Sequence, residues 1–183
     1  MQIMLDAGHG PNTTGKRTPD GNMKEFEFNE AVAQFVKNEL TAAGVIVMNC
    51  HDKQRDVPLR ERTALANKMG VDAFISIHAN AYGSTWNNVS GIETFTYVKP
   101  SEQSIILASL IQNYLCAITG RTNRGVKRAD FAVVRDTKMP AVLVECGFMT
   151  NKIEATLLQS TEYRKRCAKA IAFAILCWIQ QKR

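Results

Sequence analysis

Three continuous apolar runs, each leading to a side chain that can bind a metal or carry a proton, constrain this chain more than any other feature. Ile3-Met4-Leu5 leads through Asp6-Ala7-Gly8 to His9. Phe74-Ile75-Ser76-Ile77 leads to His78, and Ala141-Val142-Leu143-Val144 leads to Glu145. Such runs predict strands covered on both faces, as in a parallel sheet. As neighbours in one sheet, they bring His9, His78 and Glu145 to a single edge. Open α/β sheets place their chemistry at that edge.

The same reading predicts six strands, over residues 2–6, 45–49, 72–78, 92–97, 131–135 and 141–145. Helical periodicity falls between them, over 25–42, 57–69, 102–119 and 161–181, with a short turn near 152–158. Gly44 and Gly120 follow helical stretches as C-terminal punctuation. Pro58 suits a first helical turn. Ser101 and Ser160 suit N-caps, and Asn151 with Glu154 has capping-box spacing. Alternating strands and helices predict an α/β fold: one domain over 1–183, with a twisted, mostly parallel six-stranded sheet flanked by helices.

Composition narrows the function classes. At 45% hydrophobic and 22% charged, the 183 residues suit an ordinary globular domain. The longest uncharged apolar stretch, Ala170 to Ile179, is too short to span a bilayer, so no membrane insertion is expected. The segment Gly8 to Gly15 lacks the glycine spacing of a phosphate-binding loop. The net charge of +6 favours anionic partners, but basic residues are not interleaved with aromatics and no nucleic-acid motif occurs. Five cysteines without CxxC spacing read as reduced thiols and not as metal ligands. No secretion signal precedes the first strand, so synthesis in the cytoplasm is expected.

Glu25 is the most telling carboxylate. It lies on the same helical stripe as Phe28, Val32, Phe35, Val36 and Leu40. A charge facing the core needs compensation, and a metal ion provides it. The competing reading is a first-turn glutamate serving the helix dipole. His9 is flanked by glycines that permit a sharp turn. His78 continues the polar line Phe74, Ser76, His78 on an otherwise apolar strand. Together they give the His₂Glu set of a catalytic zinc site with a position left open. Glu145 shares a strand face with Ala141 and Leu143, so it is expected to be poorly solvated and suited to general acid–base work. A buried ion pair to Arg or Lys is its alternative role. Cys146 is expected on the opposite strand face, away from the chemistry, and His51 in an exposed loop.

These segments resemble the zinc-dependent N-acetylmuramoyl-L-alanine amidases of the amidase-3 type, found in bacterial autolysins and phage endolysins. Leu5-Asp6-Ala7-Gly8-His9-Gly10 resembles the family's first zinc-histidine motif, and Lys24-Glu25-Phe26-Glu27-Phe28-Asn29 the segment carrying its glutamate ligand. Leu59-Arg60-Glu61-Arg62 through Ala66-Asn67 resembles the following helix. Asp72 to Asn80 resembles the second histidine motif, and Pro140 to Asn151 the segment with the catalytic glutamate. The resemblance implies zinc on His9, Glu25 and His78, with Glu145 catalytic. It implies cleavage of the amide between N-acetylmuramic acid and L-alanine in bacterial peptidoglycan, acting on the wall after release from the producing cell. Cys50-His51 depart from the Thr-Arg of many relatives. The rival functions are a zinc peptidase of the stem peptide and a non-catalytic wall-binding module. Arg124, Lys127 and Arg128 are expected to form a basic loop touching anionic wall polymers.

Overall fold

The computed structural model describes residues 1–182. Its strands are β1 (Gln2–Ala7), β2 (Ile46–Asn49), β3 (Ala73–Asn80), β4 (Ile92–Thr96), β5 (Asn123–Arg128) and β6 (Ala141–Phe148). Its helices are α1 (Glu25–Ala42), α2 (Leu59–Met69), α3 (Glu102–Thr119), α4 (Ala132–Arg135), α5 (Lys152–Gln159) and α6 (Thr161–Gln181). The strands form one sheet in the order β2-β1-β3-β6-β4-β5. Pairing is parallel from β2 through β6 and between β4 and β5, and antiparallel only between β4 and β6. The α/β architecture with a mostly parallel six-stranded sheet is therefore as the sequence predicts.

Two layers of unequal depth cover the sheet. The larger core joins one sheet face to α1, α3 and α6 through Phe28, Val32, Leu107, Ile111, Ile171 and Trp178. The smaller core lies under α2 and α4 and includes Met4, Phe74, Ala66, Val133, Val134 and Leu143. Both faces being covered accounts for the continuous apolar runs of the central strands. The chain turns from β1 to β2 on one side and to β3 on the other, so β1 and β3 flank a topological switch point. A crevice opens there at the carboxyl ends of the strands. No helix among the described residues is long and apolar enough to cross a membrane.

Helix ends follow the predicted caps closely. Ser101 accepts from Ser104 N, Ser160 from Tyr163 N, and Asn151 from both Ile153 N and Glu154 N. Glu154 does not complete a capping box with Asn151. Its carboxylate instead accepts from Phe148 N and Gly91 N, tying β6 to the entry of β4.

The fifth strand departs from expectation. Residues 131–135 contain the short helix α4, not a strand, and strand five is Asn123–Arg128. The strand pairs on one side only, with β4, so it carries Arg, Gly and Lys where a central strand carries Val and Ile. The apolar Val133 and Val134 pack as one helical turn over the smaller core. The predicted basic loop is consequently a strand. Arg124 and Lys127 within it form ion pairs with Glu93 of β4. The single Glu93 carboxylate offsets one of these two charges, so with Arg128 the segment keeps a net positive charge.

Candidate metal and catalytic site

The sheet register builds the site in rows. Met4, Phe74 and Ala141 pair across β1, β3 and β6 and belong to the smaller core. Two residues further on, Asp6, Ser76 and Leu143 form the next row. Another step brings His78 beside Glu145. Since side chains alternate along a strand, all three rows face the same way. Neighbouring strands lie ~4.8 Å apart, which sets the spacing between the His78 and Glu145 backbones. Gly8 continues the last row on the β1 side, its N–H donating to Ile77 O at 3.0 Å. A Cβ at Gly8 would stand 2.0 Å from Cε1 of His78. Glycine is required there to admit the imidazole.

His9 turns back over this row with a φ of 64°, the one non-glycine residue among those described with positive φ. That conformation is strained, and such strain persists where surrounding contacts enforce it. Glu25, the first residue of α1, enters from the larger-core side and is 3% exposed. Its Oε2 lies 3.1 Å from His9 Nε2 and its Oε1 2.9 Å from His78 Nδ1. Glu25 Oε1 also accepts from Ala79 N at 3.3 Å and from Asn29 Nδ2 at 3.3 Å. The His9 and His78 rings meet edge to face at 5.1 Å between centroids.

Electrostatics sets these groups apart. Burial alone would raise the Glu25 carboxyl, but hydrogen bonds and charge from His78 and His9 outweigh it and hold the group well below the usual carboxylate range. Burial disfavours charged His78, yet its bond to Glu25 prevails and raises its pKa. Burial pushes Glu145 up to about 8, with the charges of Glu25 and Glu93 adding to the effect against an opposing His78. Glu145 Oε2 is buried without a hydrogen-bond partner among the described residues. Glu93, directly across on β4, differs sharply. Burial there is outweighed by bonds from Lys127 and Arg124, so its pKa is lowered. Asn80 Nδ2 donates to it as well, at 2.8 Å. Glu93 is thus paired and Glu145 is not, which removes the buried ion pair as an account of Glu145.

One carboxylate and two imidazoles converge, with a donor atom from each of His9, Glu25 and His78 lying within 4.8 Å of the others. Buried oxygens facing two imidazole nitrogens demand positive charge between them, from protons or from a cation. The donor set suits a divalent ion of the zinc type. The triad and Glu145 line one cleft of about 1050 Å³. The sequence matches, over residues 3–177, the family described as N-acetylmuramoyl-L-alanine amidase. The chain belongs to that family. Bacillus subtilis YqiI is 36% identical over 180 residues, covering 98% of this chain and 85% of YqiI. The B. subtilis N-acetylmuramoyl-L-alanine amidase LytC is 37% identical over 172 residues, covering 92% of this chain and 34% of LytC. Among solved structures, the N-acetylmuramoyl-L-alanine amidase of Clostridium difficile 630 superposes with a TM-score of 0.94 at 30% identity, covering 100% of this chain and 98% of that one.

Within this amidase frame the remaining expectations divide. His51 is half-buried, not solvent-exposed, and its Nδ1 accepts from Ala7 N at 3.0 Å. Parallel pairing of β2 with β1 carries the residues after Asn49 alongside the end of β1. Burial lowers the His51 pKa, which keeps the ring a neutral acceptor. Sequence reasoning does not place Asp6, Ser76 or Arg62 at the site, yet all three lie behind the histidines. For Asp6 and Ser76 the available signal is the polar alternation that singles out His78, since each interrupts an apolar strand, whereas Arg62 on α2 has no such signal. Cys146 lies in the larger core and is wholly buried. A hydrogen bond with Cys167, followed by burial, pushes its thiol well above the ordinary value. Such a thiol is inert. We expect Cys146→Ser to retain most activity and alkylating reagents to act slowly. Full inactivation of the folded variant would point instead to a cysteine nucleophile.

Proposed function

We propose that this chain hydrolyses the amide between N-acetylmuramic acid and L-alanine of peptidoglycan with a zinc ion on His9, Glu25 and His78 and with Glu145 as general base and acid. The observation that carries this reading is the half-buried Glu145, whose Oε2 is buried and unpaired among the described residues, beside the His₂Glu cluster in one cleft within a chain of the amidase family. The chemistry zinc supplies there is that of a Lewis acid toward a carbonyl oxygen and toward water. Glu25 faces one nitrogen of each imidazole, Oε2 toward His9 Nε2 and Oε1 toward His78 Nδ1, and would share the ion with them. Glu145 takes a proton from the attacking water as the new carbon–oxygen bond forms. It returns that proton to the alanine nitrogen as the carbon–nitrogen bond breaks. Burial raises the proton affinity of the Glu145 carboxyl, which favours its taking the proton and holding it until the nitrogen departs. Glu93, held charged by Arg124 and Lys127, adds to the rise at Glu145.

Product analysis of digested walls tests the reaction. New L-alanine amino termini on free stem peptides, with intact glycan, are expected, and a chelator should abolish their release. Cleavage inside the stem peptide would mean a peptidase. Binding to walls without product would mean a non-catalytic module.

A further inference from the structure

We propose that the buried Asp6–Arg62 ion pair is the positioning device for both ligand histidines, one end fixing the ring of His78 and the other the backbone of His9. The inference rests on the metal assignment above. Asp6 and Arg62 are each 1% exposed and meet at 2.6 Å through Oδ1 and Nη1. A buried ion pair is weak evidence for stability, since apolar residues of similar volume often serve as well. Its contacts point to another role.

Every N–H of the Arg62 guanidinium has an acceptor. Nε donates to Val57 O at 2.8 Å. Nη1 donates to Asp6 Oδ1 and to Ala7 O, both at 2.6 Å. Nη2 donates to His9 O at 2.5 Å and to Asp56 Oδ1 at 3.2 Å. Arg62 therefore grips both the end of β1 and the strained residue that follows. The φ of 64° that turns the His9 ring toward Glu25 is held at its own carbonyl. A lysine ammonium is a point charge and cannot span these acceptors.

The other arm runs through Ser76. Asp6 Oδ2 lies 2.7 Å from Ser76 Oγ, which lies 3.1 Å from His78 Nε2. Asp6 paired with Arg62 is an acceptor, so the single hydroxyl proton of Ser76 goes to it. Oγ must then accept at His78, which places the proton on Nε2. The lone pair is left on Nδ1, the atom facing Glu25 Oε1 at 2.9 Å. Directionality thus passes from Arg62 through Asp6 and Ser76 to the ring. Partners behind a ligand histidine of this kind typically change metal affinity by about 10–100-fold when removed.

Two measurements on the zinc-loaded protein test this. Long-range proton–nitrogen NMR should show His78 protonated at Nε2 and metal-bound at Nδ1. The opposite assignment overturns the proposal without any variant. Zinc affinity by chelator competition should fall by about 10–100-fold in Ser76→Ala and in Arg62→Lys. The visible spectrum of the cobalt-substituted forms should shift as well. Folded variants with parental affinity and spectrum would reduce the network to a structural role. A parent chain that binds no zinc would instead sink the metal assignment itself.

Discussion

Glu145→Gln is expected to keep the parental metal content and lose about 10²–10⁴-fold in turnover, the usual contribution of a general acid–base group. Gln preserves shape but can neither take a proton from water nor deliver one to the leaving nitrogen. Turnover of the variant against content by elemental analysis separates three roles. Loss of metal would make Glu145 a ligand. Near-normal turnover would make it structural.

The same substitution carries a stability signature in metal-free protein. The Glu145 pKa rises from an ordinary 4.5 to about 8 on folding. The folded state therefore binds the proton more tightly than the unfolded chain, and stability falls as pH rises from about 4.5 to about 8. Glu145→Gln removes that penalty. Its melting temperature should match the parent at acid pH and exceed it increasingly up to about pH 8. A constant difference across this range would show that Glu145 is not the titrating group.

Much of this was legible because the central strands are buried on both faces. Polar His78 and Glu145 at the ends of such strands stand out against Val, Ile and Leu, whereas Asp6 and Ser76 within the same strands are singled out only once their contacts with Arg62 and His78 are seen. Glu25 was legible by the same contrast on a helical stripe. Strand β5 was not, because an edge strand has one neighbour and one exposed rim, and its Arg-Gly-Val-Lys-Arg composition resembles a loop. The apolar Phe131-Ala132-Val133-Val134 then took its place in the reading, although a single helical turn buries Val133 and Val134 equally well. Arg62 lies within the Leu59-to-Asn67 segment, but a helix residue bonded to carbonyls of β1 and the loop beyond it is a tertiary fact. No local period encodes that contact. His51 was misread for a related reason, since its acceptor role depends on β2 lying beside β1.

Removing a ligand has the largest expected effect. Each of His9, Glu25 and His78 contributes one of three donors, and Glu25 also bridges the two rings. Losing any one leaves two donors, too few for the closed side of a catalytic zinc site. Zinc content and amidase activity should fall together in His9→Ala, Glu25→Ala and His78→Ala, while a folded sheet remains visible by circular dichroism. Elemental analysis of these three variants beside the parent is the most direct measurement. The account predicts a single zinc per parent chain and a clear loss in every variant. Unchanged stoichiometry in all three would contradict it.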